Sequence, residues 1–264
     1  MLANTPTRSL GRGSLAPGLH KPDIFLTQLV DFIADHLGRW RDDPERRAVQ
    51  SEPELNLQLG AYLNGEAHYS MDVIQFITEP LDSVQSGRRL DIAAQPSRAQ
   101  ISVAGRSYTR FDVLLPIECK RLPTPADRRD EREYVVVGGT GTTGGIQRFK
   151  LGAHGSAHAM AVIIGYIQDG DAKQWLQSVN GWLAEEGVVD PLWAGEQLTA
   201  VAKAKANDND VYRFHSIHRR LRGAGNVGLW HLWIMMAPGS MKRRGKRLGR
   251  RIPGDNQGKL PFTY

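Results

Sequence analysis

The run FDVLLPIECK at 111–120 sets an acid and a lysine two positions apart at the end of an otherwise apolar stretch. Read as a β-strand, its side chains alternate between faces. Val113, Leu115 and Ile117 fall on one face, and Leu114, Pro116, Glu118 and Lys120 on the other. Glu118 and Lys120 then stand side by side on a strand apolar enough to be central. Desolvating such charges costs roughly several kcal/mol each, so they are seldom buried without a use. The plain alternative is an ion pair at a fraying strand end, where Arg121 and Pro123 mark the exit. Asp91, in RRLDIAA, lies on a preceding strand that could pair with 111–120. Two carboxylates at that range suit a hard divalent cation that keeps waters for substrate oxygens. Such a cation activates water and neutralises charge on a phosphoryl group, while a lysine adds a point charge near that water.

These residues need a scaffold, and the hydrophobic pattern supplies one. A helix is predicted over 22–40, with Phe25, Leu29, Phe32, Ile33 and Leu37 on one stripe. A second is predicted over 51–64, burying Leu55, Leu59 and Tyr62 and ended by Gly65. Strands are expected at 71–78, 89–95, 100–103 and 111–120. After a glycine-rich connection with a short VVV run at 135–137, a helix starts in 145–154. The run MAVIIGYI at 160–167 reads as a buried strand. A helix over 173–186, with Trp175, Val179 and Trp182 inward, and strands at 211–218 and 227–235 complete the pattern. The order indicates one mixed α/β domain over 22–238, preceded by a disordered segment at 1–21 and followed by a basic, Pro/Gly-rich tail at 239–264.

Asp91, followed by Glu118-Cys119-Lys120 on an apolar strand, resembles the PD-(D/E)-x-K phosphodiesterase superfamily, which includes many restriction endonucleases. The resemblance spans roughly residues 50–167 and departs from the motif in one place, where Leu90 rather than Pro precedes Asp91. It implies a restriction-endonuclease-like fold, a mixed central sheet flanked by helices in a single domain. It implies a metal-dependent endonuclease using Mg²⁺ or Mn²⁺, with DNA ahead of RNA as substrate. Asp91 and Glu118 would be metal ligands, with the Cys119 carbonyl as a further donor, and Lys120 would position or activate water. Many members add an acid on an early helix and a Gln or Lys on the helix after the second motif; Glu54 and Gln147 stand in those places. Association alone extends this to restriction or phage defence beside a helicase, ATPase or other protein partner.

Each residue also has a plainer reading. Glu54 completes an S-x-x-E capping box from Ser51, and Gln147 could be an exposed helix residue. Gly139-Thr140-Gly141-Thr142-Thr143-Gly144 fits G-x-G-x-x-G and offers a dinucleotide-enzyme alternative, although the following segment is a poor crossover helix. A non-catalytic nucleic-acid-binding or structural subunit with the same fold is the other alternative. His154, His158, His215 and His218 read as ordinary hydrogen-bonded or surface histidines, and the tryptophans as core. Arg213, Arg219, Arg220 and Arg222 are read as phosphate contacts or as a solvated edge.

The net charge of +6 is local. Seven basic residues fall in KRRGKRLGRR at 242–251, and taking them away leaves the rest near −1. This tail is either a solvated segment or an arm that grips phosphates. A single cysteine, Cys119, excludes an internal disulfide and a cysteine zinc cluster. No apolar run approaches the roughly 18 residues of a membrane span, and the first 20 residues lack the apolar middle of a secretory signal. A cytoplasmic protein without membrane partners is expected.

Overall fold

Apolar residues at three- and four-residue spacing build the first helix, α1 (Ile24–Asp42), which buries Leu26, Leu29, Val30, Ile33, Leu37 and Trp40. The computed structural model describes residues 24–81, 89–98, 100–124, 130–138, 143–201, 211–220 and 225–236. The predicted N-terminal segment, the basic tail and residues 139–142 of the glycine-rich loop lie outside them. Helix α2 (Glu52–Ser70) starts after Ser51 with a proline in its first turn. Gly65 does not end it, contrary to the sequence expectation. Burial of Leu63 and Ala67 carries the helix past a glycine that costs only about 1 kcal/mol in a helix interior.

The sheet strands are β1 (Ile74–Thr78), β2 (Ile92–Pro96), β5 (Leu115–Leu122), β6 (Met160–Ile167), β7 (Thr199–Ala200), β8 (Val211–His218) and β9 (Val227–Met235). They lie in the order β1-β2-β5-β6-β9-β8-β7. The pairs β5–β6 and β6–β9 are parallel and all others antiparallel. β3 (Ile101–Val103) and β4 (Arg106–Tyr108) form a separate hairpin, so the strand predicted at 100–103 does not join the sheet. All eight residues of the central strand β6 are buried, which explains its uninterrupted apolar run. At the β1 edge, the Asn64 side chain of α2 pairs with both backbone groups of Phe76, at 2.7 Å each, and covers an otherwise open edge.

α1 and α2 pack on one face of the sheet, where Leu115, Ile117 and Cys119 of β5 join their core. The other face is covered by α3 (Gly145–Lys150), α4 (Ala172–Val189) and the short 3₁₀ helices at Glu131–Tyr134 and Pro191–Trp193. The protein is thus an α/β single domain with a seven-strand mixed sheet packed against helices. No helix among the described residues is long and apolar enough to cross a membrane.

Candidate active site

Glu118 and Lys120 project from β5 toward the α3 face, with 0% and 3% of their surface exposed. The antiparallel register pairs Ile92 with Ile117, so one step further sets Asp91 opposite Glu118. Asp91 stands immediately before β2, and its Oδ2 accepts the Cys119 backbone N–H at 2.7 Å. Lys120 Nζ lies 2.8 Å from Glu118 Oε1, 3.7 Å from Glu52 Oε1 and 3.9 Å from Glu133 Oε1. Arg148 Nη1 lies 2.5 Å from the same Glu118 Oε1. His154 Nδ1 stands 3.2 Å from Glu118 Oε2 but is not aligned to donate, and that buried oxygen accepts no hydrogen bond. A cleft of about 420 Å³ opens over this cluster, lined by Glu52, Asp91, Lys120, Asp130, Glu133, Val137, Thr143 and Arg148.

The electrostatics follow from that packing. Burial, and then the charge of Glu118, push the Asp91 carboxyl up to about 8 against the pull of Lys120. Burial would raise Glu118 too, but Lys120, His154 and Arg148 outweigh it and hold the carboxyl at about 2. Burial disfavours the Lys120 ammonium, yet Glu118, Glu52 and Asp91 more than compensate and keep it charged. Lys120 therefore carries its charge in this arrangement.

Among the sequence-selected residues, the structure brings Asp91, Glu118, Lys120 and the Cys119 backbone together. It does not bring Glu54 or Gln147. Glu54 is exposed and accepts from the Ser51 hydroxyl beside it, while Glu52, nearer the helix start, reaches the cleft. Gln147 Oε1 accepts the N–H groups of Val137 and Gly144, each at 3.3 Å, and so fastens the cleft wall to α3. Its neighbour Arg148, and not Gln147, lines the cleft and meets Glu118. Glu133 was also missed; it rides on the 3₁₀ helix that Asp130 caps through the Arg132 N–H.

Most of the other sequence candidates find structural roles, and Arg222 lies outside the described residues. Arg213 pairs with Asp31 and Asp35 of α1. Arg219 donates to the Pro191 and Ala194 carbonyls, and Arg220 to four carbonyls between Phe149 and His158. His158 binds the Val113 carbonyl. The strand-loop-helix context of a dinucleotide site is absent from the described residues, because 131–134 is a 3₁₀ helix and α3 has only six residues. Gly144 and Gly145 have a packing reason: a Cβ on either would stand 2.5 to 2.8 Å from the backbone of 134–136.

A buried polar chain crosses the same face. Trp233 Nε1 donates to Tyr134 Oη at 2.8 Å, and Tyr134 Oη meets His231 Nδ1 at 2.7 Å. Ser216 Oγ lies 2.7 Å from His231 Nε2 and 2.6 Å from His218 Nε2, and His218 Nδ1 lies 2.6 Å from Glu196 Oε2. Ser, His and Glu in this order imitate a hydrolytic triad. Ser216 is only 2% exposed and its hydroxyl is shared by two imidazoles, so the chain is structural.

Comparison with known proteins finds no matching family model, no matching curated protein and no matching solved structure. The functional reading therefore rests on the cleft itself.

Proposed function

We propose that this protein is a metal-dependent nuclease that hydrolyses phosphodiester bonds of nucleic acid, DNA ahead of RNA. The observation that carries the reading is the placement of Asp91, just before β2, opposite Glu118 on β5, with Lys120 two residues further along, where Asp91 and Lys120 line one open cleft above the buried Glu118. The donor chemistry suits Mg²⁺ or Mn²⁺: two carboxylates, one with a buried oxygen that accepts no hydrogen bond. Asp91 and Glu118 would hold the ion, with the Cys119 carbonyl as the resemblance implies. When bound, it would polarise the phosphoryl group and lower the pKa of its water. Lys120, fixed in its charged form, would orient that water or a phosphate oxygen. Glu52 and Glu133 keep the ammonium in place from the other side. No group of three or more His, Cys, Asp or Glu side chains among the described residues is yet arranged around a metal position.

Purified protein should nick or degrade plasmid DNA with Mg²⁺ or Mn²⁺ and be inert in chelator. Glu118→Gln and Lys120→Ala should each reduce cutting by roughly a hundredfold or more while the fold is kept, the usual scale for a lost electrostatic contact to a transition state. Variants that cut like the parent would remove the assignment.

A second reading, a non-catalytic nucleic-acid-binding subunit, has one observation in its favour. Glu118 is already engaged by Lys120 and Arg148, with His154 beside it. Calorimetry showing no Mn²⁺ uptake, with DNA binding intact, would decide for it.

A further inference from the structure

We propose that Arg148 is the residue that grips the substrate phosphate in this cleft, and that without substrate it latches Glu118 away from the metal. The inference rests on the reading of the cleft as a metal-dependent phosphodiesterase and adds what occupies Glu118 before substrate arrives.

Arg148 and Lys120 converge on one oxygen. Their nitrogens lie 2.5 and 2.8 Å from Glu118 Oε1, although a single carboxylate carries one negative charge. Lys120 also faces Glu52 and Glu133 at 3.7 and 3.9 Å, so its charge stays paired whatever Arg148 does, and the two cations differ in freedom. Lys120 grows from the same strand as Glu118, and its side chain is 4% exposed. The Arg148 side chain is 20% exposed and borders the open cleft.

The Arg148 backbone is fixed. Its N–H donates to Gly144 at 2.9 Å, and its carbonyl accepts from Ala153 at 2.7 Å. Next to it, Gln147 ties α3 to the wall at Val137 and Gly144. Only the side chain need turn for the guanidinium to leave Glu118 and enter the cleft. A guanidinium fork matches two oxygens of a phosphodiester, a geometry that a carboxylate oxygen already shared with Lys120 cannot offer. A phosphate arriving in the cleft would draw Arg148 off Glu118 and free that carboxylate for the cation. Substrate and metal would then bind with positive coupling, which must be reciprocal.

The test is Mn²⁺ titration calorimetry on the full chain, with and without a short phosphorothioate DNA duplex that resists cleavage. Proteins compared are the parent, R148M, R148K and D91N. R148M should bind Mn²⁺ at least about tenfold more tightly than the parent without DNA, the scale of an ordinary coupling free energy. Adding the duplex should tighten Mn²⁺ binding by a similar factor in the parent and leave R148M unchanged. R148K keeps a cation on Glu118 without the fork, so it should stay a weak Mn²⁺ binder and lose the coupling to DNA. If R148M binds Mn²⁺ no better than the parent, while D91N abolishes uptake, the latch is wrong and the metal site stands. If no protein takes up Mn²⁺ with or without DNA, the metal-site reading falls and the latch falls with it.

Discussion

Asp91, Glu118 and Lys120 were legible because a β-strand has the simplest periodicity in protein structure. Two positions apart means the same face, whatever surrounds the strand. Helical positions are less forgiving. One residue is a turn of roughly 100° about the axis, so Glu52 and Glu54, or Gln147 and Arg148, point in quite different directions. Sequence pattern singled out the two helices that border the cleft, but Glu52 and Arg148, and not Glu54 and Gln147, face it, since the phase depends on how each helix is seated. Glu54 shows the competing force: it is drawn to the neighbouring Ser51 hydroxyl and turned outward. At this same scale Asp91 exacts a cost, being pressed against Glu118 in a partly buried position. Replacing it with Asn keeps an acceptor for the Cys119 N–H and removes the repulsion. Asp91→Asn should therefore raise the stability of metal-free protein by on the order of 1 kcal/mol or more, since one pKa unit of mismatch is worth about 1.4 kcal/mol. Thermal melts in chelator check this, and an unchanged or lower melting temperature would contradict it.

Elements were predicted best where the pattern is long. The strands at Met160–Ile167, Val211–His218 and Val227–Met235 keep their predicted bounds over eight or nine residues each, the first wholly buried and the other two with buried and more exposed positions interleaved. The two-residue β7 and the three-residue β4 left almost no signal, being short and, for β7, exposed; β3 was legible at 100–103, but not its pairing with β4 outside the main sheet. The VVV run at 135–137 has β-prone residues but forms no strand. Val135 and Val136 are buried, but as the lining beneath a 3₁₀ helix, and burial alone does not distinguish strand from coil. What seats α3 against that segment is the absence of side chains at Gly144 and Gly145. A Cβ on Gly144 would come 2.5 Å from Val136 Cα and 2.8 Å from the Val135 carbonyl, both backbone atoms that cannot step aside. Gly144→Ala should therefore cost about 1–3 kcal/mol, the range of overpacking in a filled core. It should also weaken the Gln147 tie and with it the cleft wall. Gly138→Ala is the matched control, with nothing within 4 Å of its added carbon, and should be near neutral. Equal denaturant midpoints for the two variants would remove glycine packing as the reason α3 sits where it does.

The molecule as a whole has two electrostatic features of different reach. Its net positive charge is concentrated at 242–251, so long-range attraction for DNA should reside there and not in the domain. Deleting 242–264 should lower DNA affinity at least about tenfold at moderate salt and flatten the salt dependence, because fewer counterions are released. Unchanged affinity and slope in a filter-binding series would deny the tail that role. The second feature is internal. Trp233, Tyr134, His231, Ser216, His218 and Glu196 form one directional relay in which each hydroxyl or imidazole gives one proton forward and accepts one from behind. Neutral histidines complete it; a second proton on either would set a donor against a donor. Burial accordingly lowers both imidazoles below the usual histidine value, His231 the more strongly, although Glu196 pulls His218 back up. The unfolded chain therefore binds more protons than the folded one below about pH 6.5, the ordinary histidine value. This contribution is fully present above that pH and is lost as pH falls through and below it, by up to roughly 1.4 kcal/mol per unit for each histidine. Asp91 acts in the opposite sense, since its folded pKa is raised to about 8 and its contribution grows as pH falls. The two are separated by comparing variants and not by the parent curve alone. His231→Gln keeps an acceptor toward Tyr134 and a donor toward Ser216 but cannot titrate. Urea unfolding between pH 8 and pH 5 should show the parent losing stability relative to this variant by about one proton's slope below pH 6.5. Parallel curves would mean that His231 does not carry the pH dependence assigned to it.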